Sequence, residues 1–395
     1  MSDLLRSLPS IQEKSKPPPR PGPAILTPAT QPTHSPSSPE ASSSSSDSST
    51  STTDSIHTLR PTASHTSPSS HLPPIPWPTF FAQELHLPHQ TPTTSALYHA
   101  YLTPPRNPKS GPLFICHHGA GSSAMSFAPY ASQIAAQMPG AGVLSLSARE
   151  HGSLVTSPSS NDEVLDFSAE TLTSDALTII DLVRQNQGWE RLPPSVFVGH
   201  SLGGVVATRI AADGALGASL VGFQVLDVVE GSAIEALAYM KAYLRGRPER
   251  FESVEEAVEW HLRSRTVRER GSAEVSTPGL LKGLEDGGWG WRTDLGRTER
   301  WWEGWFAGMS ERFLRGRAAK GLVLAGTDRL DRELMVGQMQ GKFQLTVIPE
   351  AGHFLHEDVP EKMAQLSIEF FKRNDRSAMV LPPKVSDLLA QGKKV

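Results

Sequence analysis

The chain has 395 residues, a net charge of −4 and one cysteine, Cys116. The slight acidity argues against a nucleic-acid binder, which would show a basic face. A lone thiol excludes a disulfide framework and a cysteine-built zinc site. At roughly 150 residues per domain the length allows two or three domains, but 16 of the 33 prolines lie in the first 78 residues.

The same opening stretch carries a run, residues 41–55, that is almost wholly Ser and Thr. So little apolar surface does not offset the entropy of ordering the backbone, so residues 1–75 are expected to be a disordered tail. Residues 111–148 contain no Asp, Glu, Lys or Arg, yet Gly, Ser, His, Gln and Pro break them up too often for a membrane span. The N-terminus has no apolar segment long enough for a signal peptide. A soluble, intracellular protein is expected, cytoplasmic or nuclear, with no nucleic-acid and no membrane partner.

After Trp77, short apolar runs alternate with helical patterns, which predicts an α/β fold with a mostly parallel sheet covered by helices. The predicted strands are residues 113–116, 143–146, 196–198, 221–226, 322–324 and 345–348. The predicted helices are 127–137, 169–185, 203–212 and 361–371. Between about 230 and 319 helical patterns (233–245, 254–265) follow one another with no convincing strand, so a helical cap inserted between two strands is expected. It holds six of the eight tryptophans: Trp260, Trp289, Trp291, Trp301, Trp302 and Trp305. They either fill a small cap core or form a surface for substrate or protein. The catalytic domain is expected over 76–375, with a flexible tail over 376–395.

In open α/β sheets, ligands bind beyond the carboxyl ends of the strands. The segment Gly199-His200-Ser201-Leu202-Gly203 lies there, after one predicted strand and before a helix. That context makes Gly-x-Ser-x-Gly a strained turn presenting Ser201 as a nucleophile. A serine hydroxyl needs a base, and chain order on such folds is Ser, then Asp or Glu, then His. His353, just after the last predicted strand, is the candidate, with His356 its local rival. The acid candidates are Asp328 and Asp331, after the penultimate strand, and Asp227, after residues 221–226; spacing does not decide among them.

An oxyanion hole requires two N–H groups, one from Leu202 and one from the loop His118-Gly119-Ala120-Gly121. Ala120 is the first choice there and Gly121 the second. His117 and His118 are adjacent, so their side chains should point opposite ways from a strand end. With no third ligand in view, no metal and no cofactor are expected. Cys116 reads as a buried strand residue. A serine at the elbow excludes the dehalogenase and epoxide-hydrolase chemistries that need a carboxylate there, leaving acyl transfer, most simply ester hydrolysis.

Over about residues 100–372 the chain resembles the protein phosphatase methylesterases, α/β-hydrolase fold enzymes. The resemblance rests on His117-His118-Gly119-Ala120-Gly121-Ser122-Ser123, residues 199–204, Asp227-Val228-Val229-Glu230-Gly231 and Leu244-Arg245-Gly246-Arg247-Pro248. It continues through Trp302-Glu303-Gly304-Trp305-Phe306, residues 326–331, Gly337-Gln338-Met339-Gln340-Gly341-Lys342-Phe343, and Gly352-His353 to His356-Glu357-Asp358. It implies removal of the methyl ester from the C-terminal leucine of the protein phosphatase 2A catalytic subunit, with direct binding to that subunit. It also implies Ser201 as nucleophile, Asp227 as acid and His353 as base. Leu202 stands where the family more usually has Met, and Phe354-Leu355 replaces smaller residues. The alternatives are a small-molecule carboxylesterase with the same triad and a chiefly phosphatase-binding inhibitory protein.

Overall fold

The structure, a computed structural model, describes residues 75–326 and 330–375. The expected C-terminal tail, Asp328 and all but the last residue of the expected N-terminal tail lie outside the described residues. Strands β1 (Gln83–Gln90) and β2 (Ser95–Thr103) form an antiparallel hairpin running from the pair Gln83–Leu102 to the pair Gln90–Ser95. Leu85 and Leu87 point inward while His86 and Pro88 are exposed, the period of two that a half-buried strand needs. Sequence patterning did not predict this hairpin. A proline lacks the N–H a central strand requires, and Pro88 is accommodated because β1 lies at the edge of the sheet.

The chain then alternates. In order come β3 (Leu113–His117), α1 (Ala128–Gln137), β4 (Gly142–Leu146), β5 (Leu154–Thr156) and α2 (Ala169–Asn186). They are followed by β6 (Ser195–His200), α3 (Leu202–Asp213) and β7 (Leu220–Leu226). The chain returns to the sheet only at β11 (Ala319–Leu324), then forms α9 (Arg332–Met339), β12 (Gln344–Val347), α10 (Leu355–Asp358) and α11 (Pro360–Asn374). The sheet order is β1-β2-β4-β3-β6-β7-β11-β12, with β5 paired to β2. From β4 to β12 every pairing is parallel. Apolar residues on both sides of β3 show why: Leu113 and Ile115 join the core under α2 and α3, Phe114 and Cys116 the core under α1 and α11. A strand buried on both faces is a continuous apolar run. Among the described residues no helix is long and apolar enough to cross a membrane.

The segment between β7 and β11 is not wholly helical. It runs α4 (Glu230–Arg245), β8 (Arg250–Phe251), α5 (Val254–Arg263), α6 (Arg270–Leu280), β9 (Leu281–Gly283), β10 (Trp289–Trp291), a 3₁₀ turn (Leu295–Trp301), α7 (Trp302–Phe306) and α8 (Met309–Arg315). Three of these strands pair in the order β8-β10-β9 as a small antiparallel sheet. Strands of two or three residues are too short to leave a periodicity signal. The tryptophans divide. Trp302 and Trp305 are buried in the main core, where Trp305 Nε1 donates to Phe167 O at 2.6 Å. Trp260, Trp289 and Trp291 surround Phe251 and Leu281 in a separate small cluster.

Candidate active site

The carboxyl ends of β3, β6 and β7 converge beneath α4 and the turn after α5. A cavity of about 380 Å³ opens there, and Ser201 and His353 both line it. Ser201 sits between β6 and α3 with φ 51° and ψ −117°, a left-side conformation unusual for a non-glycine residue. The turn closes because Gly199 and Gly203 lack side chains. A Cβ on Gly203 would overlap the carbonyl of His117, and one on Gly199 would overlap the backbone of Gly203. Gly119 likewise lets the loop after β3 approach the elbow, since a Cβ there would stand 3.0 Å from Ser201 Cβ.

His353 Nδ1 donates to Asp227 Oδ2 at 2.8 Å, and both residues are buried. Asp227 follows β7 with φ 48°, and its other oxygen accepts the Ala325 N–H at 2.9 Å. Adjacent strands β7 and β11 thus orient the carboxylate from two sides. An imidazole that donates through Nδ1 keeps Nε2 unprotonated as the basic nitrogen. Asp331 is placed otherwise. It caps α9, accepting from Leu334 N–H at 3.0 Å, and also accepts from the Ser310 hydroxyl. His356 is fully buried, hydrogen-bonded to Ser126 Oγ at 3.2 Å with its ring stacked on Phe127.

The loop after β3 is held by a network that the sequence did not reveal. Arg149 makes a two-pronged buried ion pair with Asp175, at 2.6 and 2.9 Å, which also accepts from Tyr98 Oη at 2.7 Å. The carbonyl of Arg149 accepts from His151 Nδ1 at 2.8 Å, so His151 Nε2 is left to accept the Gly121 N–H at 2.9 Å. Burial pushes the His151 ring down to about 4, which keeps it neutral and able to accept. The Gly121 N–H is therefore occupied. Among the described residues no acceptor is paired with the N–H of Ala120 or of Leu202.

His200 also escaped the sequence reading, hidden at the variable position of Gly-x-Ser-x-Gly. Its Nε2 donates to the His353 carbonyl at 2.9 Å, fixing the backbone of that loop. Burial, reinforced by His353 and His356, holds its pKa well below the usual histidine range. A neutral ring beside His353 adds no positive charge against an imidazolium there.

His117 and His118 do not oppose each other as expected; their ring centroids are 5.5 Å apart because His118 lies past the strand end, where the chain turns. Both nitrogens of His118 are engaged, Nδ1 donating to Gly119 O at 2.8 Å and Nε2 accepting the Ala148 N–H at 3.1 Å. Cys116 is fully buried, and desolvation pushes its thiol well above the usual range. One set of residues, Glu84, His86 and His99, brings three metal-type ligand atoms within 4.8 Å of one another on the β1–β2 hairpin. His99 already uses both nitrogens there, with Ser147 Oγ at 2.8 Å and Glu84 Oε1 at 3.0 Å.

Comparison with known proteins places this geometry. The sequence profile described as the alpha/beta hydrolase family matches residues 114–366. Protein phosphatase methylesterase 1 of Neurospora crassa is 49% identical over 371 residues, covering 83% of this chain and 81% of that protein. The proteins of the same name from Aspergillus fumigatus and Schizosaccharomyces pombe are 53% and 42% identical, covering 80% and 78% of this chain and 76% and 87% of their own. Among solved structures, E-2-(acetamidomethylene)succinate hydrolase superposes with a TM-score of 0.55 at 16% identity, covering 70% of this chain and 96% of its own, a likeness of fold. The chain is an alpha/beta hydrolase and belongs to the protein phosphatase methylesterase family.

Proposed function

We propose that this protein is a serine methylesterase that demethylates the C-terminal leucine methyl ester of the protein phosphatase 2A catalytic subunit. The observation that carries the reading is the buried Asp227–His353 pair at 2.8 Å, whose imidazole shares an apolar cavity with the strained Ser201. Family membership supplies the substrate.

In this reading Ser201 Oγ attacks the ester carbonyl carbon as His353 Nε2 takes its proton. The Ala120 and Leu202 N–H groups receive the oxyanion, an interaction worth about 3–4 kcal/mol per donor in related chemistry. Asp227 stabilises the imidazolium. Collapse of the tetrahedral intermediate breaks the C–O bond to the methoxy group, which leaves as methanol with the proton from His353. Water, deprotonated by His353, then attacks the acyl-enzyme. Ser201 regains its proton and the free carboxylate departs. One ester and one water yield one acid and one methanol.

The test is mass spectrometry of the methylated phosphatase tail, with and without enzyme. The wild type is expected to remove one methyl group per tail, and Ser201→Ala to remove none. Turnover by Ser201→Ala would sink the assignment. Rapid hydrolysis of simple aryl esters with an untouched phosphatase tail would point to a small-molecule esterase instead.

A further inference from the structure

The cavity that holds Ser201 is mostly apolar, walled on one side by Ala236, Tyr239 and Met240 of α4, yet it also contains two cations, Arg247 and Arg265, and no Asp or Glu. Arg247 is the less ordinary of the two. Its guanidinium carbon lies 3.5 Å from the ring centroid of Trp291. Trp291 is itself fixed, donating from Nε1 to Pro248 O at 2.7 Å and packing edge-on against Phe251 and Trp260. The stack holds the guanidinium plane in place. Arg247 Nε is nonetheless buried with no hydrogen-bond acceptor among the described residues.

Three other arginines with little-exposed side chains have acids beside them, Arg149 with Asp175, Arg209 with Glu170 and Arg268 with Asp358 at 3.8 Å. Asp294, whose field reaches Arg247, accepts the Gly296 N–H at 2.9 Å instead. Burial accordingly pulls Arg247 below its ordinary range, the signature of a desolvated cation short of a counter-charge. Arg265 stands on the turn after α5 with φ 56°, one of five non-glycine residues with positive φ among those described. Such strain concentrates where a ligand is held.

We propose that Arg247, assisted by Arg265, forms a carboxylate-recognising subsite that selects methyl-ester substrates bearing an acidic side chain a few residues before the esterified C-terminus. This rests on the methylesterase reading. The apolar wall takes the side chain of the terminal residue, while an Asp or Glu upstream brings the negative charge that the cavity lacks. A planar guanidinium with unused donors suits a carboxylate, and the charge-assisted bonds so formed are about twice as strong as neutral ones. A substrate lacking that acid leaves the cation unanswered, so discrimination comes from the unpaired partner as much as from the pair.

The experiment uses the full-length protein and short peptides ending in leucine methyl ester. Each peptide carries one Glu, scanned over the second to fifth position from the C-terminus, and is compared with its Gln counterpart. For the wild type, kcat/KM is expected to be about tenfold or more higher for the best Glu peptide than for its Gln twin. The Arg247→Met variant should bring that ratio close to one, mainly through KM, and Arg247→Lys should keep part of it. The ratio is internal to each variant, so a partly damaged enzyme lowers both rates and leaves it readable. Equal turnover of Glu and Gln peptides by the wild type, or an undiminished ratio in Arg247→Met, overturns the subsite alone. Failure to demethylate any peptide by an enzyme active on aryl esters overturns the methylesterase reading, and the subsite with it.

Discussion

Ser201 and Asp227 both hold positive φ, at the ends of neighbouring strands, and each such residue costs about 1–3 kcal/mol. The surroundings that enforce them set what substitutions do. Asp227→Asn keeps the shape but lets His353 take the wrong tautomer, and kcat should fall about ten-thousandfold with the melting temperature little changed. Asp331→Ala should do the reverse, losing about 1 kcal/mol of stability with the α9 cap and leaving kcat intact. Steady-state kinetics and thermal melts on the two variants check both. A severe kcat loss in Asp331→Ala alone would reject Asp227 as the acid. Spacing alone could not separate these carboxylates, because both follow strands at plausible distances from His353; only the family resemblance implied Asp227. What separates them is lateral: β7 and β11 are adjacent, so a carboxylate after β7 is turned by the Ala325 N–H toward the loop after β12. The sequence already favoured Ala120 over Gly121, but it did not show that the Gly121 N–H is occupied by His151, thirty residues on.

At the scale of elements, the β6–α3 turn was the most legible feature, because glycine at 199 and 203 is a direct statement about space. Gly203→Ala drives a methyl group into the His117 carbonyl and should destabilise the protein by about 2–3 kcal/mol while opening the elbow away from the loop after β3. Chemical denaturation and esterase assay together test this; an Ala variant with wild-type stability and rate would mean that the two loops do not need their close approach. Less legible were elements whose signal is weak by construction. The β1–β2 hairpin carries Pro88 and three histidines in place of β-branched residues. The sheet β8-β10-β9 is held mainly by what its tryptophans pack against, since so few residues form its ladders.

For the molecule as a whole, buried histidines make acid stability a global property. Burial pushes His117, His151 and His261 down to about 4 and His356 to about 3. Their unfolded counterparts titrate near 6.5, so below that pH the unfolded chain binds more protons than the native one. Stability therefore falls as pH drops through 6.5 and continues to fall until the native rings begin to protonate near 4. Each fully titrating ring contributes about 1.4 kcal/mol per pH unit. Glu357, raised well above the usual carboxylate range by burial, acts in the opposite sense, favouring the native state at low pH. Four rings outweigh one carboxyl, and a domain holds only about 5–15 kcal/mol in total. The melting temperature should thus decline steeply between pH 6 and pH 4.5. A flat profile from pH 7 to pH 5 would mean that these rings are not held neutral.

Asp227 stands where the chain leaves the sheet into the 230–318 segment, and it accepts a hydrogen bond from Ala325 at the far end of β11, the strand by which the chain returns. That makes the segment unsuitable for exchange as a cassette. A chimera that grafts the corresponding piece of another hydrolase onto this scaffold would have to keep Asp227 through Val229 at one junction and the whole of β11 through Ala325 at the other. A junction cut inside either would replace the cavity wall and disturb the Asp227–His353 pair in the same step, so the two are inherited here as a single unit.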